Sequence, residues 1–148
     1  MKRVPALRDL SSEHHSGLVL TRRIHKAVAL PNFQAAAAWA DVAERFEHEL
    51  EPHFQKEEQG LLPALRATGE HALVERTLQE HKEMRDSVRA TDPEKLLRFA
   101  QLLSEHIRFE EKELFQVAQH QLSADQLAAL SPTRHRKATT SSMRGKPR

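Results

Sequence analysis

A chain of 148 residues with a formal net charge of +2 and no cysteine has room for one domain, which can bury about two-thirds of its unfolded surface without a covalent staple. The missing cysteine excludes disulfides, thiolate metal sites and thiol nucleophiles. No apolar stretch approaches the roughly 20 residues of a membrane helix, and the start MKRVPALRDLSSEHH lacks the apolar core of a secretory signal, so no membrane contact and a cytoplasmic address are expected.

Glycine is scarce and alanine, leucine, glutamate, glutamine, arginine and lysine dominate, a composition of helix formers. The first predicted helix runs from Leu10 to about Leu30, with Ser11 or Ser12 as its cap and Pro31 as its stop. Asn32 caps a second, long helix from Phe33, whose stripe includes Phe46, Leu50, Phe54, Leu61 and Leu65; Pro52 inside it removes one backbone bond and predicts a bend just before His53. Gly69 marks a turn, and Leu73, Val74, Leu78, His81, Met84 and Val88 space a third helix. Asp92 and Pro93 open a fourth, through Leu96, Leu103, His106, Ile107, Glu110 and Leu114. Ser123 caps a short fifth from Ala124 to Leu130.

Four principal helices joined by short loops predict an all-α fold, an up-down-up-down antiparallel four-helix bundle over residues 1–130. All 21 acidic residues precede residue 131, whereas Arg134, Arg136, Lys137, Arg144, Lys146 and Arg148 follow it. Residues 131–148 have no apolar periodicity and read as a disordered basic tail. Such a tail can touch nucleic acid, although a solubilising terminus is the plainer reading.

The chemistry lies in a repeat. HFQKEEQGLLP at His53–Pro63 and HIRFEEKELF at His106–Phe115 share the pattern H-[FI]-x-x-E-E-x-x-[LF]-[LF]. Residues four apart sit one turn apart on the same helix face, so His53 with Glu57 and His106 with Glu110 can point together into the bundle. Such residue types are hard to bury without a partner. The first helix offers His15, with His14 its neighbour and competitor, and the third offers His81. Four imidazoles and two carboxylates form a nitrogen and oxygen site without sulfur, which suits iron or manganese, with zinc also open. Carboxylates can bridge two cations and reduce their repulsion. The bland alternative is a set of solvated helix faces, because histidine and glutamate four apart also form ordinary surface pairs. Glu58 and Glu111 are expected to face solvent, with a supporting or substitute ligand role as the alternative.

These motifs resemble the hemerythrin-like HHE cation-binding family over about residues 10–120. EHHSGLV places His15 on a metal-binding histidine; HFQKEE places His53 and Glu57 on the histidine and bridging carboxylate; TLQEHKEM places His81 on a ligand position; HIRFEEKELF supplies His106 and Glu110. The resemblance implies two iron ions per chain, fixed by the imidazoles and bridged by Glu57 and Glu110, with dioxygen, another small diatomic or peroxide as the ligand. In the third helix the sequence departs: oxygen-carrying hemerythrins have two histidines one turn apart, whereas this chain has Thr77 before His81. One ion would therefore lose a nitrogen ligand. That weakens reversible oxygen carriage and puts iron or redox sensing beside it. Two rival classes remain. A di-iron oxidase or peroxide-reactive enzyme would use the same centre, although the repeated order here is H-x-x-x-E where ferritin-like sites use E-x-x-H. A metal-free interaction bundle would act through its basic tail.

Overall fold

The computed structural model describes residues 3–130, and the predicted tail at 131–148 lies outside the described residues. Helix α1 spans Pro5–Ala29. It begins five residues before the expected Leu10, because Pro5 occupies its first turn, where a missing N–H costs nothing, and because Ala6, Leu7 and Leu10 already bury an apolar face. Ser11 and Ser12 therefore lie inside the helix rather than capping it.

Helix α2 runs without interruption from 35 to 67 through alternating α and wide segments: Ala35–Arg45, a π-turn at Phe46–Leu50, Glu51–Lys56, a second π-turn at Glu57–Leu61, and Leu62–Ala67. Gln34, not Asn32, precedes its first turn, without a side-chain cap. In each π-turn one backbone N–H reaches back five residues, from Glu51 to the Phe46 carbonyl and from Leu62 to that of Glu57. Pro52 and Pro63 each stand two residues beyond such a turn. Widening the helix there accommodates the missing proline N–H, so Pro52 is absorbed and does not end the helix.

Helix α3 spans His71–Ala90 and closes on Thr91, whose φ of 46° is left-handed. Asp92 accepts from the Glu94 N–H at the head of a 3-10 turn, Pro93–Lys95, so the expected cap starts that turn and helix α4 follows from Leu96. Helix α4 comprises Leu96–Phe109, a π-turn at Glu110–Leu114, and Phe115–Gln121. Helix α5, Ala124–Ala128, has the cap expected at Ser123, completed as a capping box with Gln126.

The four long helices form the bundle, with α1 crossing α4 closely at Gly17, where an added Cβ would lie 2.8 Å from Ile107 Cδ1. Two apolar cores fill it. One contains Leu20, Ile24, Trp39, Phe46, Leu50, Phe54, Met84, Phe99 and Leu103. The other contains Leu7, Leu10, Leu61, Leu65, Val74, Leu114, Phe115 and Leu127. On α1, α2 and α3, residues of the first core are separated from those of the second by a stretch carrying buried histidine or glutamate, and on α4 the changeover from Ile107 to Phe109 is flanked by His106 and Glu110. No helix among the described residues is long and apolar enough to cross a membrane.

Candidate metal centre

The layer between the cores holds His14 from α1, His53 and Glu57 from α2, His81 from α3, and His106 and Glu110 from α4, all buried. Glu57, Glu110 and His81 have no exposed surface at all. The site thus contains His14 where His15 was expected; His15 is exposed on the other side of the turn. The inward stripe of α1 reads Leu7, Leu10, His14, Gly17, Thr21, Ile24, all buried, a three-and-four spacing that includes position 14 and skips 15. The structure brings the other five expected residues, His53, Glu57, His81, His106 and Glu110, together in this layer.

The carboxylates face two ways. Glu57 turns Oε2 to His53 Nε2 at 3.0 Å and Oε1 to His81 Nε2 at 3.0 Å. Glu110 turns Oε1 to His14 Nε2 at 2.8 Å and Oε2 to His106 Nε2 at 2.9 Å. Each carboxylate therefore gives one oxygen to each of two imidazole pairs, His14 with His53 and His81 with His106, whose ring centroids are 4.9 and 5.0 Å apart. The ligand atoms of His14, His53, Glu57 and Glu110 lie within 4.8 Å of one another, and so do those of Glu57, His81, His106 and Glu110.

Whether these residues fit metal ions is decided by the atoms left over. His53 Nε2, His81 Nε2, His106 Nε2, both oxygens of Glu57 and Glu110 Oε2 are buried without a hydrogen-bond partner, although they crowd together. Buried polar atoms are rarely left so, and six of them converging on two points are lone pairs arranged for cations. The two His/Glu clusters can coordinate a di-iron centre, with Glu57 and Glu110 common to both.

Around this centre the remaining imidazole nitrogens are all occupied. Nδ1 of His14 meets Glu111 at 2.7 Å, of His53 Glu13 at 2.8 Å, of His81 Glu58 at 2.6 Å, and of His106 Glu80 at 2.7 Å. Glu58 and Glu111, expected to face solvent, instead hold ligand histidines. Burial disfavours protonation of His81 and His106, but hydrogen bonds and charge from the surrounding glutamates outweigh it and push their pKa values up to about 10 and about 9. His14 and His53 are raised in the same way. Glu58 and Glu111 are held down at about 2: burial opposes this, and the hydrogen bonds from His81 and Arg85, and from His14, Ser11 and Arg3, overcome it.

Aromatic rings wall the site. Phe54 stacks on His81 with centroids 3.9 Å apart, and Phe115 lies parallel to His14 at 5.4 Å. Thr77, one turn before His81, is fully buried, and its hydroxyl donates to the Leu73 carbonyl at 2.8 Å. That position brings no nitrogen, so each imidazole pair has two members and the clusters are matched.

A family model described as the hemerythrin HHE cation binding domain matches residues 6–118. The chain belongs to that family. No curated protein and no solved structure matches it. The two clusters are accordingly a binuclear metal site of hemerythrin type, the kind that serves binding and sensing rather than turnover. Burial and hydrogen bonding account for the doubled glutamates: the first of each pair points inward, and the second reaches the histidine of a neighbouring helix.

Proposed function

We propose that this hemerythrin-like chain holds two iron ions between His14, His53, Glu57, His81, His106 and Glu110, and uses them to bind or sense dioxygen, another small diatomic or peroxide in the cytoplasm. The observation that carries the reading is the two-way presentation of Glu57 and Glu110, one oxygen to each imidazole pair. When bound, the iron pair would supply reversible electron exchange and free coordination positions for a small ligand. The chain's own residues do the rest. Two imidazoles and two carboxylate oxygens per cluster are fewer donors than six-coordinate iron takes up, so both clusters leave room. Phe54, Phe115, Ile107 and Phe109 exclude water, which lowers the local dielectric and holds the site to small ligands. Thr77 keeps its hydroxyl on the helix backbone and adds no ligand.

The repeated order H-x-x-x-E sets the centre apart from the ferritin-like arrangement, which uses E-x-x-H. Binding or sensing is therefore preferred to oxidase chemistry. The test is the optical response of the reduced, iron-loaded chain to dioxygen, nitric oxide and hydrogen peroxide, each added in a single addition without reductant. A saturable spectral change with one of them, reversed by removing or re-reducing it, supports the reading. Continuous consumption of dioxygen or peroxide once a reductant is supplied would replace it with the enzyme reading.

A further inference from the structure

The four outer glutamates make a pattern that their individual contacts do not reveal. Glu13 on α1 holds His53 on α2; Glu58 on α2 holds His81 on α3; Glu80 on α3 holds His106 on α4; Glu111 on α4 holds His14 on α1. The contacts run once around the bundle and close. Each glutamate is next in sequence to a residue of the centre: Glu13 to His14, Glu58 to Glu57, Glu80 to His81, Glu111 to Glu110. Each is also gripped on its outer side by a cation. Lys56 lies 2.5 Å from Glu13, Arg85 2.9 Å from Glu58, Arg76 2.9 Å from Glu80, and Arg3 3.0 Å from Glu111, which Ser11 also meets.

We propose that Glu13, Glu58, Glu80 and Glu111 form a closed ring of positioning carboxylates in which each one governs a single, identifiable ion of the pair. The inference rests on the metal-centre reading given above. Its physical basis is that an imidazole has two nitrogens: a carboxylate on Nδ1 fixes the tautomer and the ring's rotation, so that Nε2 presents its lone pair to the centre, and makes that nitrogen a stronger donor. The contacts of 2.6 to 2.8 Å are those of charge-assisted hydrogen bonds. The cations outside keep each carboxylate in place although 20 to 35% of its side-chain surface is exposed. Glu111 and Glu13 serve the ion of His14 and His53, and Glu58 and Glu80 serve the ion of His81 and His106. Pairing by ion is thus different from pairing by helix or by position in sequence.

That difference sets the experiment. Ferrous ion is titrated anaerobically into the full chain in competition with a coloured chelator, for the wild type and for glutamine variants, with urea unfolding of each metal-free protein as a check on the fold. Glu58→Gln combined with Glu80→Gln is expected to leave one ion at wild-type affinity and weaken the other by roughly 10- to 100-fold or more. Glu13→Gln combined with Glu80→Gln is expected to weaken both. Arg76→Gln, which frees the outer side of Glu80, should weaken the same single ion to a lesser degree and serves should a double variant not fold. Iron-57 Mössbauer spectra should show two matched ions in the wild type and two unlike ions in the Glu80→Gln single variant. If both double variants behave alike, or if affinity is unchanged while the wild type binds two ions, the ring is overturned and the metal centre stands. A wild type that binds no ion overturns both.

Discussion

Glu57 and Glu110 are carboxylates with no solvent contact, and their charges are balanced in the structure only by the imidazoles around them. With pKa values pushed up to about 10 and about 9, His81 and His106 hold protons at neutral pH when no cation is bound, and the surrounding glutamates raise His14 and His53 in the same direction. A ligand imidazole must give up the proton on the coordinating nitrogen, so iron and protons compete for the same lone pairs. Loading metal-free chain in weakly buffered solution at pH 7 should therefore release protons, and apparent affinity should fall as pH falls; binding without proton release would contradict this. His14→Ala should lose one of two irons per chain by elemental analysis, whereas His15→Ala should retain both. Spacing four apart identified His53, Glu57, His106 and Glu110, but two adjacent histidines cannot be separated by a motif. The continuous stripe from Leu7 to Ile24 can separate them, because it asks which face of α1 is apolar over five turns.

The helices place these residues by departing from regular winding. Both repeats contain a π-turn that starts at the inward glutamate, Glu57–Leu61 in α2 and Glu110–Leu114 in α4. One extra residue in the turn lets the glutamate and the following apolar pair, Leu61 with Leu62 and Leu114 with Phe115, all face inward. A regular helix would turn part of that set away. The repeat was legible in the sequence as E-E-x-x-[LF]-[LF], but its wide turn was not, since two consecutive apolar residues are also what a helix edge looks like. The ring of outer glutamates was illegible for another reason: every contact joins two different helices, and sequence spacing measures only one at a time. Close packing of α1 on α4 at Gly17 supports the His14 to Glu110 contact. Gly17→Val should force Ile107 and α1 apart and cost about 1 to 3 kcal/mol, read as a lower urea midpoint, with iron content falling toward one per chain.

At the level of the whole molecule, an ionisable layer divides one bundle into two apolar cores, each of ordinary composition. Without cations that layer opposes stability, because its buried carboxylates and imidazoles offset one another only in part. With them, binding energy becomes folding energy, since the donor set comes from four helices and has no counterpart in the unfolded chain. Free ferrous ion at a hundred times its dissociation constant should stabilise the fold by about 2.7 kcal/mol and raise Tm by roughly 10 °C, measured by calorimetry under argon; an unchanged Tm would argue against coupling. Fold class and bundle topology were accessible from helix spacing and loop length, because short connections leave few alternatives to antiparallel neighbours. The starts of α1 and α4 were displaced by Pro5 and by the 3-10 turn at Pro93, local choices that packing settled.

The most direct test is the iron content of the purified chain after anaerobic reconstitution and removal of loosely held metal, beside the same measurement on a variant carrying Glu57→Gln and Glu110→Gln. Two irons per wild-type chain and none in the variant is the predicted result, because those two carboxylates belong to both clusters. A wild type that retains no iron, or a variant that retains two, would contradict the account.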